Sequence, residues 1–475
     1  MIVIDTYHDK AVAVYGLGRT GLSAARALIA GGARVLVWDD DPNRRRDAVA
    51  LGAEAAAPSS EAWAGIMALI LSPGVPLTHP KPHMVVGLAE RLGAEVLGDV
   101  ELFARTRPVA AVATITGTNG KSTTTSLLRH ILSTAGRAVQ AGANLGLPVL
   151  DFDNVDATGT YVLELSSYQI DLTTGLRPQV VALLNISPDH LDRHGGMDGY
   201  IAAKRRLLQM ADADAVLVLG SDDEWSAQIC RNMRAAGRKV VEVAIGREIG
   251  SEIEDGLFVR DGRLYRAGGA KPVTDLNGIE TLRGAHNWQN AAVAFAMAEA
   301  LGLAEARIIP ALRTYPGLPH RMEVVARQGD ILFVNDSKAT NAAAAAHALA
   351  AYENIFWIAG GIAKQGGIDA LAPYFANITR AFLIGEAAES FAEKLGAGLV
   401  HELSGDLTTA VRAAHENAVA AGGGVVLLSP ACASFDQFAS FEARGDQFHA
   451  LAQSMIGDGD NGDNGEQRRA VGGLG

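Results

Sequence analysis

Cysteine is nearly absent from this chain. Its 475 residues include only Cys230 and Cys432, far apart in sequence. That excludes a disulfide framework and fits a reducing compartment, so a cytoplasmic location is expected. Long apolar runs are missing too. None reaches the roughly 20 residues that a bilayer demands, and Asp5 and Asp9 interrupt the N-terminal stretch where a signal peptide needs an unbroken apolar core. Positive charge is in deficit. The 41 Lys and Arg stand against 53 Asp and Glu, leaving −12, which argues against nucleic acid or an anionic membrane as partner. The run Arg44-Arg45-Arg46 reads as the solvated start of a helix. No tandem repeat recurs at a fixed period, and a monomer is expected. From Gly457 the chain is Gly/Asp/Asn-rich without periodicity, which predicts a disordered tail over 458–475.

What remains is rich in core-forming residues. A hydrophobic fraction of 48% over this length suits about three domains. Strands alternate with helices almost throughout, which predicts α/β architecture with parallel sheets. Predicted strands are Ala11–Tyr15, Arg34–Trp38, Ala68–Leu71 and Glu95–Leu97, with a helix over Leu22–Ala30. Arg105-Thr106-Arg107-Pro108 reads as a boundary, because proline resists continuing a helix. The second unit offers strands at Ala138–Ala141, Thr160–Leu165, Val180–Asn185 and Ala215–Leu219. A hairpin then turns at Asp261-Gly262, and a long helix follows over His286–Leu301. Pro310, Pro316 and Pro319 read as a linker. The third unit has strands at Ile331–Asn335, Ile355–Ala359, Ala381–Ile384 and Val425–Leu428. The expected domains are 1–107, 108–318 and 319–457.

The most informative stretch is Thr114-Ile115-Thr116-Gly117-Thr118-Asn119-Gly120-Lys121-Ser122-Thr123. A strand over Val109–Ile115, a glycine-rich turn and a helix from Thr123 to Thr134 form a phosphate-cradling arrangement. Backbone amides and the helix N-terminus would face an anion, Lys121 would reach the outer phosphates, and Ser122 would ligate Mg²⁺. Only two residues separate Gly117 from Gly120, fewer than a standard Walker loop has. The bland alternative is a glycine-rich turn beside a surface lysine.

Other candidates are weaker alone. Gly16-Leu17-Gly18-Arg19-Thr20-Gly21, with Asp39 at the end of the next strand, is a dinucleotide-type fingerprint. It suggests a nucleotide or nucleotide-sugar diphosphate. Ser72-Pro73-Gly74 either faces the same crevice or is an ordinary turn. Glu164 at a strand end suits Mg²⁺ ligation, directly or through water. His190, beside Asp189 and Asp192, is either a core histidine or a metal or substrate ligand. Lys204 reads most simply as a surface lysine, and Asn287 as a helix cap. In the third unit, Asn335-Asp336-Ser337-Lys338-Ala339-Thr340-Asn341, Gly360-Gly361-Ile362-Ala363-Lys364 and Ser429-Pro430-Ala431-Cys432-Ala433-Ser434 all follow strands of one sheet, where open α/β sheets bind ligands.

Together these motifs resemble the Mur ligase family of peptidoglycan synthesis over Val12 to Met455, and within it the D-glutamate-adding branch. The shortened Gly-Thr-Asn-Gly-Lys-Ser loop carries the resemblance. So do Glu164-Leu165-Ser166-Ser167-Tyr168-Gln169, Gly317-Leu318-Pro319-His320-Arg321 and the loops at Asn335–Asn341 and Ser429–Ser434. The resemblance implies three domains: a Rossmann-like N-terminal one, a P-loop-type central ATPase and a Rossmann-like C-terminal one. It implies an ATP- and Mg²⁺-dependent ligase that joins D-glutamate to UDP-N-acetylmuramoyl-L-alanine through an acyl phosphate. By motif match, Gly117, Thr118, Asn119, Gly120, Lys121, Ser122, Thr123, Asn287, Arg321 and Asp336 would hold ATP. Leu17, Arg19, Thr20, Asp39, Ser72, Gly74, Asn144 and His190 would hold the nucleotide sugar. Thr340, Lys364, Ser434 and Phe441 would bind D-glutamate. Ser122, Glu164, His190 and Lys204, the last as a carbamate, would serve the metal. Lys121, His190, Lys204 and Lys338 would be catalytic. Two departures stand out: Ala143 replaces a common glycine, and Gly366-Gly367 lengthens the loop after Lys364.

Three rival readings remain open on the sequence. One is a related Mur or folylpolyglutamate-type ligase with another acceptor. Another is a nicotinamide dehydrogenase, which leaves the loop at Gly117 unexplained. The third is a catalytically silent interaction protein.

Overall fold

The computed structural model describes residues 1–456 except Leu145, Ser251, Glu252, Glu254 and Gln365. The expected tail lies outside the described residues. The chain divides into two compact units, Met1–Tyr315 and Pro316–Gly475.

The first unit holds two sheets. Strands β1 (Ala11–Tyr15), β2 (Arg34–Trp38), β3 (Glu54–Ala55), β4 (Ala68–Leu71) and β5 (Glu95–Leu97) pair in parallel, in the order β3-β2-β1-β4-β5. The larger sheet contains β6 (Ala111–Thr116), β7 (Val139–Ala143), β8 (Thr160–Glu164), β9 (Val180–Leu183), β10 (Val216–Gly220), β11 (Lys239–Ile245), β12 (Gly256–Arg260), β13 (Arg263–Arg266) and β14 (Thr274–Asp275). Its order is β14-β13-β12-β11-β10-β9-β6-β8-β7. Strands β6 to β12 run parallel, β13 folds back antiparallel to β12, and β14 pairs antiparallel to β13. The β12–β13 turn is at Asp261-Gly262 as expected, both residues having positive φ. Strands β4, β8 and β9 are buried along their whole length. β4 and β9 therefore read as continuous apolar runs rather than alternating ones, as strands covered on both faces do, while β8 carries its apolar run between Thr160 and Glu164. The helix Ala285–Ala300 buries eleven of its residues. Its alanine-rich, all-round apolar sequence marks a core helix rather than an amphipathic surface one.

The second unit contains β15 (Glu323–Gln328), β16 (Ile331–Asn335), β17 (Ile355–Gly360), β18 (Ile362–Ala363), β19 (Ile378–Ile384), β20 (His401–Gly405), β21 (Gly424–Leu428) and β22 (Cys432–Ala433). Its main sheet runs β15-β16-β21-β17-β19-β20. Only β15 is antiparallel to its neighbour there. A separate two-stranded ladder pairs β18 with β22.

Several expectations need correction. The first helix starts at Arg19 rather than Leu22, and the strand from Val180 ends at Leu183 rather than Asn185. The strand before the glycine-rich turn begins at Ala111, not Val109, whose side chain stands 76% exposed. The helix after the turn starts two residues early, at Lys121, because Gly120 supplies the left-handed backbone that launches it. Pro310 is not linker. It sits inside the helix Glu305–Arg313 as its sixth residue, past the first turn, so the helix continues although one intrahelical hydrogen bond is missing there. Pro316 and Pro319 do lie outside regular elements.

Candidate active site

The parallel strands of the larger sheet all end on one edge, and the chemistry-bearing loops gather there. The Gly117–Gly120 turn is pinned to the segment after β9. The amide of Thr118 donates to the Asn185 carbonyl (2.9 Å) and the amide of Asn119 to Asn185 Oδ1 (2.9 Å), while Asn185 Nδ2 returns a bond to the Asn119 carbonyl (3.2 Å). Gly117 has φ +153° and no room for a side chain, since a Cβ would lie 2.9 Å from Leu184 Cβ. Gly120 has φ +85°, and a Cβ there would meet Asn290 Oδ1 at 2.2 Å. No side chain caps the helix Lys121–Thr134, so its first amides face outward where an anion would be favoured. Lys121 Nζ folds back over the turn, donating to the carbonyls of Gly117 and Thr118 at 2.9 Å each. Ser122 is half-buried and Thr123 is buried.

Lys204 overturns its bland reading. Its residue is 1% exposed on the helix Met197–Met210, and Nζ donates to the Gly117 carbonyl at 2.8 Å. Both lysine nitrogens therefore converge on one oxygen. Burial, then the charge of Lys121, holds the Lys204 amine well below the usual lysine range, with Asp189 opposing. Tyr200 lies beneath it, 4.6 Å from Nζ to the ring centre, and bonds Thr118 Oγ1 at 3.1 Å. Spacing alone could not reveal this, because a lysine in a helix reads as solvated unless its neighbours are known.

Glu164 ends β8 and is buried. Its Oε1 accepts from Asn144 Nδ2 at 2.6 Å, and Oε2 is buried without a hydrogen-bond partner. An orphaned carboxylate oxygen costs several kcal/mol unless a cation meets it, so it fits a metal ligand. His190 sits half-exposed with φ +51°, paired with Asp189 at 3.4 Å and against the Tyr168 ring at 5.0 Å. Among the described residues no three His, Cys, Asp or Glu side chains form a metal cluster. The donor set at this edge is instead hydroxyl, carboxylate, imidazole and amine.

Asn287 is buried near the start of the core helix, donating to the Arg283 carbonyl (3.0 Å) and accepting from Asn290 (3.1 Å). Asn290, which the sequence reading missed, also accepts from Thr124 Oγ1 at 3.2 Å and abuts Gly120. Its spacing of three from Asn287 was the available signal, because such positions share a helix face.

On the N-terminal sheet, Gly16 abuts Ser72, since a Cβ on Gly16 would lie 2.6 Å from Ser72 Cβ. The two expected nucleotide-sugar loops are thus adjacent. Asp39 is buried and accepts from the amides of Leu17 (2.6 Å) and Asp41 (2.9 Å). Burial pushes its carboxyl up, but these amides and Arg44 outweigh that and hold it below the usual range. Asp39 therefore shapes the loop as well as lining it. Leu17 is fully buried, so only its backbone faces the loop. Arg19 is exposed and donates to the Gly146 carbonyl at 3.3 Å, while Thr20 is half-buried. Arg193, also missed, reaches the carbonyls of Gly74 (3.0 Å) and Pro73 (3.4 Å) from above the Tyr168 ring.

In the second unit, Asp336 is buried, accepting from Ser429 Oγ (2.7 Å) and the Met322 amide (3.2 Å). Burial pushes its carboxyl up to about 7 against Ser429, Arg321 and the Met322 amide. Lys338 Nζ lies 5.6 Å from the centre of the Phe441 ring. The β18–β22 ladder places the loop of exposed Lys364 beside that of Ser434, whose hydroxyl is buried without a partner. Arg444, unforeseen, ties these loops together. It donates to Ser337 Oγ (3.0 Å) and to the carbonyls of Ser337 (2.8 Å) and Cys432 (3.1 Å). Thr340 is half-buried in the same loop as Lys338.

Comparison with known proteins agrees with this layout. The Mur ligase middle domain matches residues 115–298, and the Mur ligase glutamate ligase domain matches 320–432. A relative from Caulobacter sp. (strain K31), named UDP-N-acetylmuramoylalanine--D-glutamate ligase, is 50% identical over 96% of this chain and 98% of its own length. The protein of the same name from Rhizobium meliloti is 49% identical over 96% and 99%. The chain belongs to the Mur ligase family. This Mur ligase also shares its fold with solved structures of low identity. The UDP-N-acetylmuramate-alanine ligase of Thermotoga maritima has a TM-score of 0.58 at 17% identity, covering 94% of this chain and all of that one. MurF from Acinetobacter baumannii has 0.57 at 18%, covering 89% and 91%. As a Mur ligase it is an ATP-dependent enzyme that forms amide bonds, which removes the dehydrogenase and interaction-protein readings.

Proposed function

We propose that this Mur ligase joins D-glutamate to UDP-N-acetylmuramoyl-L-alanine. The near-full-length identity of about half to relatives named for that reaction supports the choice of substrates. The observation that carries the chemistry is the convergence of Lys121 and Lys204 on the Gly117 carbonyl. A carboxylate is a poor acceptor for an amine. Transfer of the γ-phosphoryl group of ATP to the alanine carboxylate releases ADP and creates an acyl phosphate. The amine of D-glutamate attacks its carbonyl carbon and loses a proton. The tetrahedral intermediate collapses to the amide, and inorganic phosphate leaves with the C–O bonding pair.

Both steps crowd anions together, so positioning and charge neutralisation do most of the work. The uncapped helix start and Lys121 hold the phosphates. Lys204, held toward its neutral amine, is suited to take up carbon dioxide as a carbamate, because only the free amine reacts. Ser122, Glu164, His190 and the Lys204 carbamate would hold Mg²⁺, which when bound supplies positive charge to the phosphoryl oxygens. Asn287, Arg321 and Asp336 orient the adenine nucleotide. Leu17, Arg19, Thr20, Asp39, Ser72, Gly74 and Asn144 orient the nucleotide sugar. Thr340, Lys364, Ser434 and Phe441 hold D-glutamate, and Lys338 serves the phosphoryl-transfer centre. We assign the domains as 1–107, 108–318 and 319–457. We also assign a monomer acting in the cytoplasm. No described helix is long and apolar enough to cross a membrane. The test is phosphate release, which should require UDP-N-acetylmuramoyl-L-alanine and D-glutamate together. Turnover with another amino acid and none with D-glutamate would overturn the reading.

A further inference from the structure

His194 closes the short helix Leu191–His194 and plays no part in the roles above. Its side chain is 3% exposed. Nδ1 lies 3.4 Å from Asp171 Oδ2, and Nε2 lies 2.8 Å from Ser167 Oγ. Asp171 is paired on its other oxygen with Arg206, so it is an acceptor only. With the hydrogen on Nδ1, facing the Asp171 carboxylate, Nε2 accepts from the Ser167 hydroxyl, and the two contacts hold the ring from either edge. The ring is flanked by two tyrosines. It stacks on Tyr168 (5.6 Å, 16°) and tilts against Tyr200 (5.5 Å, 51°). Each tyrosine supports a different side of the site. Tyr168 backs His190 and carries Arg193, which grips the Pro73–Gly74 carbonyls. Tyr200 bonds Thr118 in the phosphate loop and underlies Lys204.

We propose that His194 is a positioning residue: held by Asp171 and Ser167, it sets Tyr168 and Tyr200 together, and so registers the nucleotide-sugar loop against the phosphate loop. The inference rests on the substrate assignment above. Its logic is that of partners behind a ligand shell, where the supporting hydrogen bonds rather than the touching groups fix the geometry.

The experiment uses the full chain and measures calorimetric Kd for UDP-N-acetylmuramoyl-L-alanine without ATP, then KM and kcat for each substrate. His194→Phe keeps a ring between the tyrosines and removes both the Ser167 hydrogen bond and the polar contact with Asp171. It should weaken nucleotide-sugar binding and lower kcat, each by about 10- to 100-fold, with the KM for D-glutamate unchanged. Ser167→Ala, which frees Nε2, should shift the same two quantities in the same direction. It carries the test if His194→Phe does not fold. His194→Asn retains a donor toward Asp171 and should recover part of the loss. A lower kcat with wild-type Kd and KM would mean a merely structural role and would overturn the proposal, as would wild-type behaviour of the variants. Failure of the wild-type protein itself to bind the nucleotide sugar would instead overturn the substrate assignment.

Discussion

Burial drives several ionisable side chains toward their neutral forms, and Lys204 and Asp99 illustrate opposite consequences. For Lys204 the neutral amine is the reactive one. Lys204→Met, which fills the same buried space, should keep the protein folded by circular dichroism. It should lower turnover on the order of 10²–10³-fold, the usual loss when one electrostatic contributor to a transition state is removed. A ¹³C resonance from labelled bicarbonate on the wild-type lysine, absent in the variant, would check the carbamate directly. Asp99 is buried with neither oxygen in a well-formed hydrogen bond, and burial pushes its carboxyl up to about 7 against the weaker pull of the neighbouring Asp99 and Val100 amides. Its folded value lies above its unfolded one, so the folded state binds the proton more tightly. Stability is then fully present below about pH 4, the unfolded value, and is lost as pH rises toward 7. Asp99→Asn should therefore raise the Tm at pH 8 and leave it unchanged at pH 3.5. Equal shifts at both pH values would show that the carboxyl is not the cause.

Among the elements, the strand–turn–helix at β6 shows what a sequence reading can reach. The strand, the two glycines and the lysine were legible because β-branched runs, glycine at positive φ and a helix start are local properties. The clamp by Asn185 and the contact of Gly120 with Asn290 were not, because both partners lie far along the chain. Gly120→Ala tests that contact. The left-handed backbone alone costs about 1–2 kcal/mol for a residue with a Cβ, and the new methyl would press on Asn290. The expected outcome is a lower Tm and a raised KM for ATP, with the KM for D-glutamate unaffected. The Pro310 helix shows the reverse failure. A proline cluster looks like a linker by composition, yet only two of its three members lie outside helix, because burial of Ile308, Ala311 and Leu312 on either side of Pro310 outweighs the one hydrogen bond the proline removes. Likewise, all four strands expected in the N-terminal sheet formed as read, whereas β3, only two residues long, left no pattern to read.

Across the whole molecule, the proposed binding groups divide between the two units. The nucleotide-sugar set lies within Met1–Tyr315, and the D-glutamate set within Pro316–Gly475. Lys364→Ala should therefore raise the KM for D-glutamate about 10- to 100-fold, the equivalent of a charge-assisted hydrogen bond. Calorimetric binding of the nucleotide sugar should not change, and a parallel loss of both affinities would contradict that division. The α/β class, the phosphate loop and the third-unit motifs were written in the order of residues, since each depends on neighbours a few positions apart. The chemical state of Lys204, the orphaned oxygen of Glu164, and the clasps made by His194 and Arg444 were not. They depend on which distant groups exclude water from a side chain and which donors meet it there. Desolvation and hydrogen-bond geometry exist only once the chain has folded.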